Sequence, residues 1–245
     1  MGLRRGQMTA AALVYRAARL ASRGVRLVNT IGVELLAGLA LLTGSAWIFG
    51  WMVEDLAEGD TKVDNRFANW LHEHASQPLT DFFKLVTWLG NVPVLLTITL
   101  VAALVLTRKR QTNELQLLLL AVIGVEILTL GLKLGFQRER PFFPDPLATE
   151  STYSFPSGHA SVSLAVYGTL GFIAARHLPG IRLRIAALGA AATLVLLIGF
   201  SRLYLGVHFL SDVVAGFSLS LAWVTLCAIV LHLRVRLSGP SQTSR

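Results

Sequence analysis

The chain has 245 residues, 53% of them hydrophobic and only 15% charged, with 22 Lys and Arg against 14 Asp and Glu. A soluble domain carries about a quarter charged residues, so this composition excludes an ordinary soluble globular protein and points to the membrane. A single cysteine, Cys227, excludes an intrachain disulfide and leaves packing to hold the fold.

Residues 1–30 form a basic segment, with arginines from Arg4 to Arg26. The first apolar run, Ile31–Val53, follows it. The layout is that of a secretory signal, but the basic part is too long for one and the run continues through "WIFGWMV". It reads as an uncleaved membrane anchor. Residues 54–91 are the longest polar segment. Within it Thr61 and Asp64 have the spacing of a helix cap, and Val63, Phe67, Trp70 and Leu71 share one helical face. "LTDFFKLVTWLG" carries a second apolar stripe. The spacing predicts two short amphipathic helices. Either they lie on the membrane, with Trp70 and Trp88 at headgroup level, or they pack on the bundle; both readings stay open. Five more apolar runs follow, Trp88–Thr107, Leu115–Phe136, His159–Leu178, Ile185–Leu205 and Val213–Leu233. Each is near the 20 or so residues that cross the hydrocarbon core as a helix, the form that bonds its own backbone in lipid. The tail 234–245 ends in "SGPSQTSR" and is expected to be disordered. The predicted fold is an all-α integral membrane bundle of six transmembrane helices over residues 31–233, with the amphipathic helices in its first extracytoplasmic loop.

Orientation follows from the basic residues. The segments before run one, between two and three, between four and five, and after six hold 15 of the 22 Lys and Arg. The opposite side holds seven: Lys62, Arg66, Lys84, Lys133, Arg138, Arg140 and Arg202, together with 11 of the 14 acidic residues. Both termini are therefore expected in the cytoplasm. The positive charge is a matter of topology, and nucleic acid is not an expected partner.

Three charged stretches lie at the outer ends of the runs: "KLGFQRERP" (133–141), "PSGH" (156–159) and "SRLYLGVHFLSD" (201–212). Charge beside hydrocarbon is costly and calls for a function. Lys133, Arg140 and Arg202 are cations of the kind that hold a phosphate oxyanion. In the second stretch Pro156 can start a helix whose first N–H groups, at Ser157 and Gly158, would cradle phosphate, and Gly158 admits a close ligand. His208 and Asp212 are four apart, so on a helix the carboxylate can hold one ring nitrogen and leave the other free to attack. Arg202 lies across a turn containing Gly206.

Together the three stretches resemble the signature of the type-2 phosphatidic acid phosphatase superfamily: K-x6-RP, PSGH and SR-x5-H-x3-D. Every position is filled, by Lys133, Arg140 and Pro141; Pro156, Ser157, Gly158 and His159; and Ser201, Arg202, His208 and Asp212. The resemblance covers roughly Ile31 to Leu233. It implies a metal-independent lipid phosphatase, without other cofactors, that works through a phosphohistidine. It implies His208 as nucleophile, Asp212 as its orienting carboxylate and His159 as general acid and then base. Lys133, Arg140, Ser157, Gly158 and Arg202 would bind phosphate. The implied partners are a membrane lipid phosphate and the bilayer, with no obligate protein partner evident. The short loop between Lys133's helix and "PSGH" leaves little material for a lid, which favours undecaprenyl diphosphate as substrate. Phosphatidylglycerol phosphate, phosphatidic acid and lipid A phosphates are the alternatives. The same signature resembles vanadium-dependent haloperoxidases, but those are soluble. A non-catalytic lipid binder would not need the His208–Asp212 pair. Outside the signature, Arg138 is expected to meet a headgroup at the surface, and Glu126, in mid-run, to be a hydrogen-bonded packing residue.

Overall fold

In a computed structural model of the chain, residues 35–59 and 61–237 are described. The basic segment 1–30, the start of the first apolar run and the "SGPSQTSR" tail lie outside the described residues. The chain divides into two units, Met1–Ala40 and Leu41–Arg245. Of the first, only the helical residues 35–40 are described, and all that follows concerns the second.

Every regular element among the described residues is helical. In chain order they are α1 (Leu35–Glu58), α2 (Lys62–Glu73), α3 (Gln77–Trp88), α4 (Val92–Arg108), α5 (Thr112–Phe136), α6 (Gly158–His177), α7 (Ile181–Tyr204) and α8 (Leu210–Leu237). A π-helical turn interrupts α6 at Leu164–Gly168. Five of these, α1, α5, α6, α7 and α8, are each long and apolar enough to cross a membrane. The sixth, α4, has 17 residues and reaches that length only with α3, from which it is bent by 41°. The second predicted run starts at Trp88, which is where α3 ends rather than where a span begins. The break has local causes. Asn91 is extended, and a proline opens α4, where its missing N–H costs nothing.

The centre of the unit is built from α5, α6 and α8, which pack on one another, with α7 against α6. Leu95, Val125, Val162, Ala165 and Val166 fill one core layer and Leu106, Leu118 and Ile173 another. Trp223 of α8 fits over Gly124 of α5, where any Cβ would come within 2.2 Å of the indole. Its Nε1 donates to the Leu120 carbonyl at 2.9 Å. Outward faces are apolar: Leu100 and Leu104 on α4, Ile127 and Leu130 on α5, Leu188 and Leu196 on α7 are all exposed. Such faces suit hydrocarbon, where the helices' backbone groups are already satisfied.

The two amphipathic helices form as predicted, and both pack on the bundle, α3 against α7 and α2 against α7 and α8. Phe83 packs at a tilt against both Phe200 and Tyr204, and the Tyr204 hydroxyl accepts the Ser76 N–H at 2.9 Å. Each still exposes an apolar stripe, Val63 and Trp70 on α2, Phe82, Leu85 and Trp88 on α3.

Two expectations are corrected. Thr61 makes no side-chain cap and accepts instead from Asn65 at 2.9 Å, while Asp64 turns inward and is 5% exposed. Asp64, Ala68 and Leu71 form the buried face of α2, so the aspartate belongs to the interior. Glu126 is not a hydrogen-bonded packing residue. Val125 and Thr129 face the core, and the next position, about 100° around the helix, is exposed with no hydrogen-bond partner among the described residues.

Candidate active site

Five segments meet at one end of the bundle. The end of α5 brings Lys133; the irregular loop that follows brings Arg138, Arg140 and residues 150–153; the start of α6 brings Ser157 to His159; the end of α7 brings Arg202; and the turn into α8 brings His208 and Asp212. The connection between α7 and α8 is tight because Gly206 sits at φ +69°, where an L side chain is strained, and a Cβ there would press on Phe143 at 3.0 Å. On the other side of the site, Gly216 lets α8 approach the signature loop. A Cβ would stand 2.8 Å from the Ser157 carbonyl oxygen.

His208 is 2% exposed and Asp212 fully buried. Asp212 Oδ2 accepts from His208 Nδ1 at 3.3 Å and from the Phe209 N–H at 2.9 Å. This pairing puts the ring proton on Nδ1 and makes Nε2 the nitrogen that carries the lone pair. Arg140 Nη1 donates to that Nε2 at 3.1 Å. Burial first, then the Arg140, Arg202 and Lys133 charges, hold the His208 imidazole well below its ordinary range. A neutral imidazole with one nitrogen fixed and the other turned to cations is arranged as a nucleophile toward an anion.

Arg140 also donates to the Val207 carbonyl at 2.6 Å, to Thr152 and to the Tyr153 carbonyl at 3.2 Å. Lys133 Nζ donates to the same Tyr153 carbonyl, which brings the two cations together. Burial lowers the Arg140 pKa, with Arg202 adding to the effect and Glu150 opposing it. A guanidinium keeps its charge through such a shift. Arg202, 3% exposed, reaches Thr87 at 2.7 Å with Nη1 and forms an ion pair with Glu150 through Nη2.

The two polar groups that remain point to an anion. Ser157 Oγ and Arg202 Nε are both buried, and neither has a hydrogen-bond partner among the described residues. A buried donor left so costs free energy unless a ligand satisfies it. The helix dipole of α6 begins beside them at Gly158. Two details of the "PSGH" expectation change. The helix starts at Gly158, not at Pro156, and the Ser157 N–H is not free, since it donates to the Asp212 carbonyl at 3.0 Å. Ser157 offers its hydroxyl alone.

His159 sits one residue into α6, and its Nε2 meets Asn91 Oδ1 at 2.9 Å. Asn91, Thr87 and Glu150 were missed in the sequence. So was the role of Arg138, which is not a surface contact. Its side chain is 9% exposed, and it bridges Asp212 and Asp64 at 2.5 and 2.8 Å. The signal for Asp64 was present in the i, i+4, i+7 spacing of Asp64, Ala68 and Leu71. The short loop expected to leave the site open in fact reaches into it, through Glu150, Thr152 and Tyr153.

Comparison with known proteins points to one family. The family model of the PAP2 superfamily matches residues 114–236. Phosphatidylglycerophosphatase B of Bacillus subtilis (strain 168) is 38% identical over 138 residues, which is 56% of this chain and 67% of that protein. The crystal structure of a transmembrane PAP2-type phosphatidylglycerolphosphate phosphatase from Bacillus subtilis superposes with a TM-score of 0.68 at 26% identity. It covers 84% of this chain and 98% of that one. The crystal structure of Aquifex aeolicus LpxE, at 23% identity, shares the fold with a TM-score of 0.56 over 71% of this chain and 97% of its own.

Proposed function

The chain belongs to the PAP2 superfamily and is a multi-pass membrane lipid phosphatase, and from that premise we propose that its substrate is a phospholipid carrying a terminal phosphomonoester, of the phosphatidylglycerol phosphate type. The observation that carries the chemistry is His208, neutral, held at Nδ1 by Asp212 and facing Arg140 with Nε2. In this reading Nε2 attacks phosphorus and the bond to the lipid oxygen breaks. His159 donates a proton to the departing alkoxide. Water then attacks phosphorus, giving its proton to His159 as the P–Nε2 bond breaks, and inorganic phosphate leaves with both histidines restored. Lys133, Arg140 and Arg202 take the equatorial oxygens, with Ser157 Oγ and the Gly158 N–H beside them. Positive charge on the phosphorylated ring is met by Asp212.

Two considerations favour the monoester over undecaprenyl diphosphate. An alkoxide is a poor leaving group and needs a positioned acid, and Asn91 holds His159 in place. A diphosphate expels a phosphate that needs little such help. The Bacillus subtilis matches in sequence and in structure are named for phosphatidylglycerol phosphate, and the loop, reaching inside, does not leave the site open. The 15-to-7 split of basic residues supports an extracytoplasmic site with both termini in the cytoplasm.

Purified protein is assayed on phosphatidylglycerol phosphate, phosphatidic acid, a lipid A phosphate and undecaprenyl diphosphate in matched mixed micelles. Phosphatidylglycerol phosphate is expected to give the highest kcat/KM, by about tenfold over the diphosphate, the scale set by about 1.4 kcal/mol of differential transition-state binding. A preference for undecaprenyl diphosphate overturns the substrate assignment.

A further inference from the structure

We infer that Asp64 and Arg138, neither of them at a fixed position of the signature, form a buried bridge that positions Asp212 and through it the His208 ring; the inference rests on the phosphohistidine reading above.

The two oxygens of Asp212 have different work. Oδ2 holds His208 Nδ1 and the Phe209 N–H, and Oδ1 accepts from Arg138 Nη1 at 2.5 Å. The same Nη1 donates to Ser211 Oγ at 2.8 Å, and Nη2 donates to Asp64 Oδ2 at 2.8 Å. Asp64 in turn accepts the Ser211 N–H at 3.0 Å on Oδ1 and the Ser211 hydroxyl on Oδ2. The guanidinium lies 4.4 Å from the centre of the Phe209 ring. Side-chain exposure is 7% at Asp64, 9% at Arg138 and 0% at Asp212. Three elements distant in sequence, the first turn of α2, the loop after α5 and the first turn of α8, are thus tied at the residue that orients the nucleophile.

The geometry suits guanidinium alone. Only a planar fork spans two carboxylates with separate N–H groups; an ammonium is a point donor. Charge gives the bridge its second property. Asp64, Arg138 and Asp212 carry two negative charges and one positive. The net negative charge of these three groups lies in a nearly dry cluster against His208 Nδ1, with the Arg140 guanidinium on the ring's other nitrogen. It costs energy at rest and becomes favourable when Nε2 is phosphorylated and the ring turns cationic. Removing the charge of Asp64 leaves Arg138 to draw on Asp212 alone, away from the histidine. The effect falls on the step that forms and discharges the phosphohistidine, not on the phosphate-binding cations, none of which touches Asp64 or Arg138 in the contacts above.

Asp64→Asn keeps shape and removes charge; Arg138→Lys keeps charge and removes the fork. Each is purified and checked for a wild-type elution profile and melting transition. Both are expected to lower kcat about tenfold to a hundredfold, the scale on which the outer partners of an oriented side chain act, while KM and inhibition by inorganic phosphate stay within about twofold. The downfield His208 Nδ1–H proton resonance, identified by its absence in His208→Gln, is expected to shift or broaden in both. Wild-type kcat and an unmoved resonance in either folded variant overturn the bridge. So does a parallel loss of kcat, inorganic phosphate affinity and melting temperature, which marks a structural tie only, and so does failure of both variants to fold. The resonance needs no turnover. A wild type that releases no phosphate from lipid therefore counts against the proposed function, while the resonance still decides the bridge.

Discussion

At the end of the bundle where α4 turns into α5 and α6 into α7, Arg108, Lys109, Arg110, Arg176, Arg182 and Arg184 are all exposed. At the opposite end Lys133, Arg138 and Arg140 are partly buried and Arg202 is fully buried. The first group has few partners. Arg184 bonds a nearby carbonyl and Arg176 lies 5.9 Å over Phe172. The second is woven into carboxylates, hydroxyls and carbonyls from five segments. Basic residues therefore meet two environments in one small protein. Exposed cations are solvated and need no placed partner. Buried ones cost desolvation energy, which is offset only by placed partners, and that placement is what chemistry can use.

The contrast is broken most sharply by one substitution at each end. Arg202→Ala is expected to lower kcat/KM by about a hundredfold to a thousandfold, as loss of a transition-state donor does. Arg182→Ala, an exposed cation, should stay within about twofold. Equal losses at the two ends would mean that burial does not distinguish the groups. A smaller and qualitative test concerns which end faces out. After Cys227→Ala removes the one buried native thiol, Glu73→Cys is expected to react with an impermeant thiol reagent in intact cells and Lys109→Cys only after lysis. The reverse pattern would invert the orientation while leaving the site intact.

The contrast also explains what could be read from the sequence. Apolar runs report their own environment, so five spans and the amphipathic pair were visible from periodicity alone. The break between α3 and α4 is marked by Gly90, Asn91 and Pro93, but the apolar residues on either side of them read as one run. Lys133, Arg140, Ser157, His159, Arg202, His208 and Asp212 were legible because the spacing of three local stretches carries them. Their partners were not. Asp64 meets Ser211 across 147 residues, Thr87 meets Arg202 across 115, Asn91 meets His159 across 68, and Glu150 meets Arg202 across 52. Such contacts leave no local period. Arg138 was read as a surface group because an arginine beside the membrane normally snorkels, and only the fold brings Asp64 to it.

In the proposed mechanism His208 Nε2 is the atom that receives the phosphoryl group. Enzyme mixed with lipid carrying a radiolabelled terminal phosphate is quenched in alkali within the first turnover, digested and mapped. The expected result is an acid-labile, alkali-stable label on the peptide containing His208, absent from His208→Ala, with turnover in that variant reduced by at least about a thousandfold. Label on another residue, or full turnover by a folded His208→Ala protein, would contradict it.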